Sequence, residues 1–155
     1  MKHRIPRSLA AAIGVVATLL ALALGAAPAH AGPQHHGTDP SGYCASNSSL
    51  ITTRSIEPEI GGPVGEVQIF YSWNCQTNWI QVPANNAGGA TIKNIRVSGG
   101  TWLPSEVDYG YGMSYSMQVY APGTTCIDIY VALKYPSGAH YGETYNPAGN
   151  YLTIC

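Results

Sequence analysis

Charge is scarce in this 155-residue chain, where seven Lys/Arg and eight Asp/Glu together make up 10% of the residues. So few basic residues cannot build the positive stripe that a phosphate backbone demands, and a nucleic-acid partner is excluded. Disorder calls for high charge and few apolar residues, whereas 45% of this chain is hydrophobic. Uninterrupted helix is equally scarce, because 18 Gly and 11 Pro punctuate the sequence too often for a coiled coil or helical bundle. Catalytic signatures are missing too. There is no Gly-x-Ser-x-Gly elbow, and no cysteines stand at the short spacing of a zinc site. What these absences leave is one small, neutral-to-acidic, β-rich domain.

What is present begins with an address. Lys2, Arg4 and Arg7 precede an apolar stretch from Leu9 to Ala27 that only Thr18 interrupts, and Ala29-His30-Ala31 fits the small-x-small cleavage rule. This is the pattern of a secretory signal peptide. No Arg-Arg pair marks the twin-arginine route, and Leu103-Pro104-Ser105-Glu106 lacks the remainder of a sortase signal. The expectation is a leader over 1–31, a flexible mature N-terminus over 32–38, and a single β domain over 39–155 that is released outside the cell without a stable membrane anchor. Cleavage removes three of the basic residues and no acidic one, so the mature chain carries four against eight, a net charge of −4.

Four cysteines, Cys44, Cys75, Cys126 and Cys155, all follow the leader. In an oxidising compartment an even number implies disulfides, with three possible connectivities. The pairing expected is Cys44–Cys75 and Cys126–Cys155, each closing a loop of about thirty residues within one half of the chain and contributing about 3–4 kcal/mol. No metal or other cofactor is expected.

Periodicity along the mature chain is two. Val67, Ile69, Tyr71 and Trp73 alternate with Glu66, Gln68, Phe70 and Ser72; Tyr115, Met117, Val119 and Ala121 with their neighbours; and Ile127, Ile129, Val131 and Leu133 with Asp128, Tyr130, Ala132 and Lys134. Weaker strands are expected over 50–55, 79–82, 90–97, 140–145 and 151–154, with one short helix within 43–49. Turn clusters such as Ser98-Gly99-Gly100, Pro122-Gly123 and Pro136-Ser137-Gly138 separate them. About eight strands at this spacing predict an all-β fold, a small antiparallel β-sandwich or β-barrel stapled by two disulfides.

Val64-Gly65-Glu66-Val67-Gln68-Ile69-Phe70-Tyr71-Ser72, followed by Cys75-Gln76-Thr77-Asn78-Trp79, and the earlier Gly37-Thr38-Asp39-Pro40 with Cys44-Ala45 resemble the core of the YjfA-like secreted proteins of Gram-positive bacteria. The likeness covers about residues 37–82, with a fainter echo around Ser116–Val119 and Cys126. Phe70 stands where that family usually has Arg, Ile80-Gln81 replaces its Ala-Arg, and an upstream Cys is missing. The resemblance implies a secreted β domain of unassigned function, with an effector or toxin-like role in the same class.

The candidate chemistry is thin. His140 reads as an exposed loop histidine. Glu106 and Asp108 share a strand face and read as a solvated acidic edge rather than the paired carboxylates of a glycosidase. Trp79, four residues beyond Cys75, reads as core packed over a disulfide. Asn47-Ser48-Ser49 matches a glycosylation sequon by its letters alone. Tyrosine is the feature in excess, eleven against a single Phe. Tyr109, Tyr111 and Tyr115 share parity with Met113 and on one strand would line one face, which with Trp102 makes a ligand-binding platform or else a core edge. The function expected is therefore a non-enzymatic secreted domain binding an extracellular protein or glycan. A carbohydrate-binding module built on Trp102, Tyr109, Tyr111 and Tyr115 is the second reading, and a small secreted hydrolase the third.

Overall fold

Among the described residues ten strands pair into two antiparallel sheets. The structure is a computed structural model and describes residues 32–144 and 150–155. The expected leader, 1–31, and Tyr145 lie outside the described residues.

The first sheet contains β1 (Ser48–Ile56), β2 (Gly65–Ser72), β3 (Thr77–Val82), β6 (Ser114–Tyr115) and β7 (Val119–Tyr120), with β6 and β7 both pairing β3. The second runs β10 (Leu152–Ile154), β8 (Ile127–Lys134), β4 (Ala90–Val97), β5 (Glu106–Tyr109), with β9 (His140–Glu143) also on β8. One short helix, α1 (Tyr43–Ser46), precedes β1. The architecture is a β-sandwich: Ile56, Val67, Ile69, Ile80, Val82 and Val119 from the first sheet meet Ile95, Ile127, Ile129, Val131, Leu133 and Ile154 from the second. Alternation puts these side chains on the inner faces, and their burial is the main source of stability.

Both expected disulfides, Cys44–Cys75 and Cys126–Cys155, are present. The first ties α1 to the β2–β3 turn, and the second ties the start of β8 to the residue after β10. Trp79 is buried, as its position beyond Cys75 suggested, but it lies outside the main apolar cluster and stacks on Phe70 at 5.6 Å between ring centroids.

One local expectation is corrected. The strand expected over 114–121 is broken into β6 and β7, because Ser116 and Gln118 turn inward. The Ser116 hydroxyl accepts the Ile80 N–H at 3.1 Å, and Gln118 accepts the Thr77 hydroxyl at 2.6 Å. Side chains satisfying buried donors, one backbone and one hydroxyl, win over strict alternation here. At the end of the segment expected to be a flexible terminus, residues 37 and 38 are hydrogen-bonded to Gln118. Gly37 N–H donates to the Gln118 carbonyl at 2.8 Å, and the Gln118 amide donates to the Thr38 hydroxyl at 2.9 Å.

Candidate binding face

Antiparallel register fixes which side chains share the outer face of the second sheet. Asn94 lies opposite Tyr130, Arg96 opposite Asp128, and Asp128 opposite Thr153. After β4 the chain turns at Ser98-Gly99-Gly100, where Gly99 has φ +76°, a conformation that glycine adopts without strain. Gly100 N–H closes this turn on the Val97 carbonyl at 2.9 Å, and Leu103 N–H then returns to the Ile95 carbonyl at 3.1 Å. The chain thus doubles back beside β4 and lays Trp102 over Arg96.

The Arg96 guanidinium sits 4.4 Å from the Trp102 ring centroid and 4.8 Å from that of Tyr151. The two rings meet edge to face at 5.8 Å, and cation–π attraction holds all three groups in one arrangement. Asp128 fixes the guanidinium from beneath, accepting Arg96 Nε–H at 2.8 Å and the Thr153 hydroxyl at 2.9 Å. Burial pushes the Asp128 carboxyl up. Hydrogen bonds from Thr153, Arg96, Ser98 and the Gly99 N–H outweigh that and hold it below the usual carboxylate range.

Beside this stack an open depression of about 370 Å³ is lined by Asn94, Trp102, Tyr130, Asn150 and Tyr151. The Tyr130 hydroxyl donates to Glu143 at 2.7 Å. Burial first, then that carboxylate, pushes the phenol up to about 12. The neutral phenol is therefore held in place as a donor already committed to Glu143. Three aromatic rings and two primary amides thus line one surface hollow beside the fixed Arg96 guanidinium, apolar area with a few placed polar groups, as small-ligand sites have.

The tyrosines singled out from the sequence are exposed, but they do not share one strand. Tyr109 ends β5 in the second sheet, Tyr115 belongs to β6 in the first, and the turn at Gly110 (φ +102°) breaks the parity between them. Tyr109 is 83% and Tyr111 70% exposed, which removes the core alternative for both. Tyr111 lies over Gly88, where an added Cβ would come within 2.4 Å of its ring. The Tyr115 phenol is raised, chiefly by the charge of Asp39, whose carboxylate accepts its hydroxyl at 3.4 Å. Tyr109 alone keeps company with the Trp102 face. It pairs with Ala90, which has the parity of Asn94 on β4, at a distance of about 13 Å along the strand. Tyr109, Tyr111 and Tyr115 therefore do not form one strip with Trp102, whose ring instead contacts Arg96 and Tyr151.

Asp108 is not a purely solvated acid. Its carboxylate accepts Lys93 Nζ–H at 2.7 Å, and the Lys93 side chain is 0% exposed. His140 is exposed, at the start of β9 rather than in a loop. His35 lies close to Cys44 and Cys75, but both sulfurs are consumed in the disulfide, so the trio is no metal centre.

Sequence reasoning missed Asn94, Arg96, Tyr130, Asn150 and Tyr151. Alternation within β4 puts Asn94 and Arg96 on one face, but the pairing of β4 with β8 and of β8 with β10 that gathers the others is long-range. No family model, curated protein or solved structure matches this chain.

Proposed function

We propose that the chain is a secreted, non-enzymatic β-sandwich that binds a saccharide on the outer face of its second sheet. The observation that carries this reading is the Trp102–Tyr151 pair, held by Arg96 beside Asn94 and Asn150. Aromatic faces stack against the apolar C–H surface of a pyranose, while primary amides donate to and accept from its hydroxyls. Because Arg96 is already neutralised by Asp128, the hollow suits a neutral sugar better than an acidic one. Secretion is supported by the leader pattern and by two disulfides. The resemblance of residues 37–82 to YjfA-like secreted proteins agrees with that compartment.

A glycan array probed with the disulfide-bonded protein tests the ligand class, with a defined set of neutral oligosaccharides as the expected outcome. An array blank for glycans, alongside a correctly folded protein, overturns the proposal. N-terminal sequencing of protein recovered from the medium tests the compartment and should begin at Gly32. Recovery only in the cell fraction with Met1 intact contradicts it.

A further inference from the structure

The sandwich is open along one side, where β1 edges the first sheet and β10 the second. Between them runs a groove of about 560 Å³ whose lining includes Ile51, Arg54, Tyr71, Trp73, Ile127 and Ile154. That size falls in the range of small-ligand sites, roughly 300–1,000 Å³.

Three features separate it from an ordinary seam. First, Ile51 is the extra residue of a β-bulge, since Leu50 pairs with Phe70 and Thr52 already with Ile69. Bulges at sheet edges re-aim a side chain and stop further strand pairing. Second, large apolar side chains stay in water: Trp73 is 63%, Leu50 50% and Ile51 49% exposed. The Trp73 ring is nevertheless fixed, by its indole N–H donating to the Ser49 hydroxyl at 3.3 Å and by edge contact with Tyr71 at 4.9 Å. Third, among the described residues Arg54 is the only charged side chain lining the groove. Its guanidinium donates to the Thr52 hydroxyl and, at 2.9 Å, to the Thr53 carbonyl. Among the described residues it has no carboxylate partner.

We propose that this groove binds a single-chain fatty carboxylate, with its alkyl chain along Ile51, Trp73 and Ile154 and its carboxylate on Arg54. An apolar trough ending at an unpaired guanidinium matches an amphiphile of that charge, since Arg recognises carboxylates through paired N–H donors. The bulge disfavours the alternatives that need main-chain pairing at this point, namely an added peptide strand or a second copy of the chain. The net charge of −4 expected after cleavage disfavours an anionic bilayer.

Titration of the intact disulfide-bonded protein with sodium dodecanoate below its micelle concentration, followed by tryptophan fluorescence and calorimetry, tests the proposal. Saturable one-site binding is expected. R54Q should weaken it at least tenfold while changing dodecanol binding less than twofold. I51D should abolish both, with W73A as the substitute should I51D fail to fold, and W102A should change neither. Absence of saturable binding, an unaltered affinity in R54Q, or loss of binding in W102A overturns it. So does an I51D-sensitive dimer of the ligand-free protein in sedimentation, or co-sedimentation with phosphatidylglycerol vesicles without dodecanoate binding.

Discussion

Arg96 and Asp128 lie opposite one another on β4 and β8, and their 2.8 Å ion pair is what aims a guanidinium between two aromatic rings. The carboxylate is buried and the guanidinium partly so, hence removing one partner leaves the other poorly solvated. Asp128→Asn should therefore cost about 2–4 kcal/mol, between the values for exposed and for buried pairs. Because the folded carboxyl lies below its ordinary 3.8, its contribution is complete above that value and is lost as pH falls through the lower folded one. Urea titrations across the acid range should show this loss in the parent and not in D128N.

Tyr130 and Glu143 give the opposite dependence. The folded phenol is raised to about 12 from 10.0, so its contribution is complete below pH 10 and fades as pH rises toward 12. Ultraviolet titration should find one tyrosine ionising last, and Tyr130→Phe should remove that step. Glu143→Gln should bring it only part of the way down, because burial is the larger cause.

The Lys93–Asp108 pair predicts an asymmetry. Asp108→Ala strands a fully buried ammonium and should cost about 3 kcal/mol, whereas Lys93→Met leaves a half-solvated carboxylate and should cost under about 1 kcal/mol. Equal costs in chemical denaturation would contradict that reading of the pair.

How much of this was legible in the sequence follows from the range of each interaction. Alternation located β2 and β8 almost to the residue, because it depends on neighbours along the chain, and the expectation that each disulfide closes a loop of about thirty residues within one half matches the pairing found. The shared parity of Tyr109, Tyr111 and Tyr115 does not put them on one strand, because Gly110 makes a turn that hands the chain from one sheet to the other. Tyr151 and Asn150 carried no local signal. They gain meaning only through the pairing of β10 with β8, which no periodicity reveals. Trp102 was singled out for its residue type, but its partner Arg96 was not, since a lone Arg at an outward strand position looks like any solvated charge.

The two disulfides should separate stability from binding. Each closes a loop near thirty residues, 31 and 29 positions apart, and its removal as a Ser pair should cost about 3–4 kcal/mol. Only loss of Cys126–Cys155 should impair sugar binding as well, because it frees the three-residue strand β10 that follows Tyr151. Thermal melts and calorimetry on the two double variants measure both effects.

The most direct measurement is the calorimetric affinity of Trp102→Ala and Tyr151→Ala for the best array oligosaccharide, beside a Tyr111→Ala/Tyr115→Ala control. Partly exposed rings at a surface site should be removable with the fold intact, so melting points should stay near the parent's. Affinity should fall at least tenfold in each of the first two variants and less than twofold in the control. Unchanged affinity in Trp102→Ala and Tyr151→Ala, with the control abolished, would contradict a saccharide site on the second sheet.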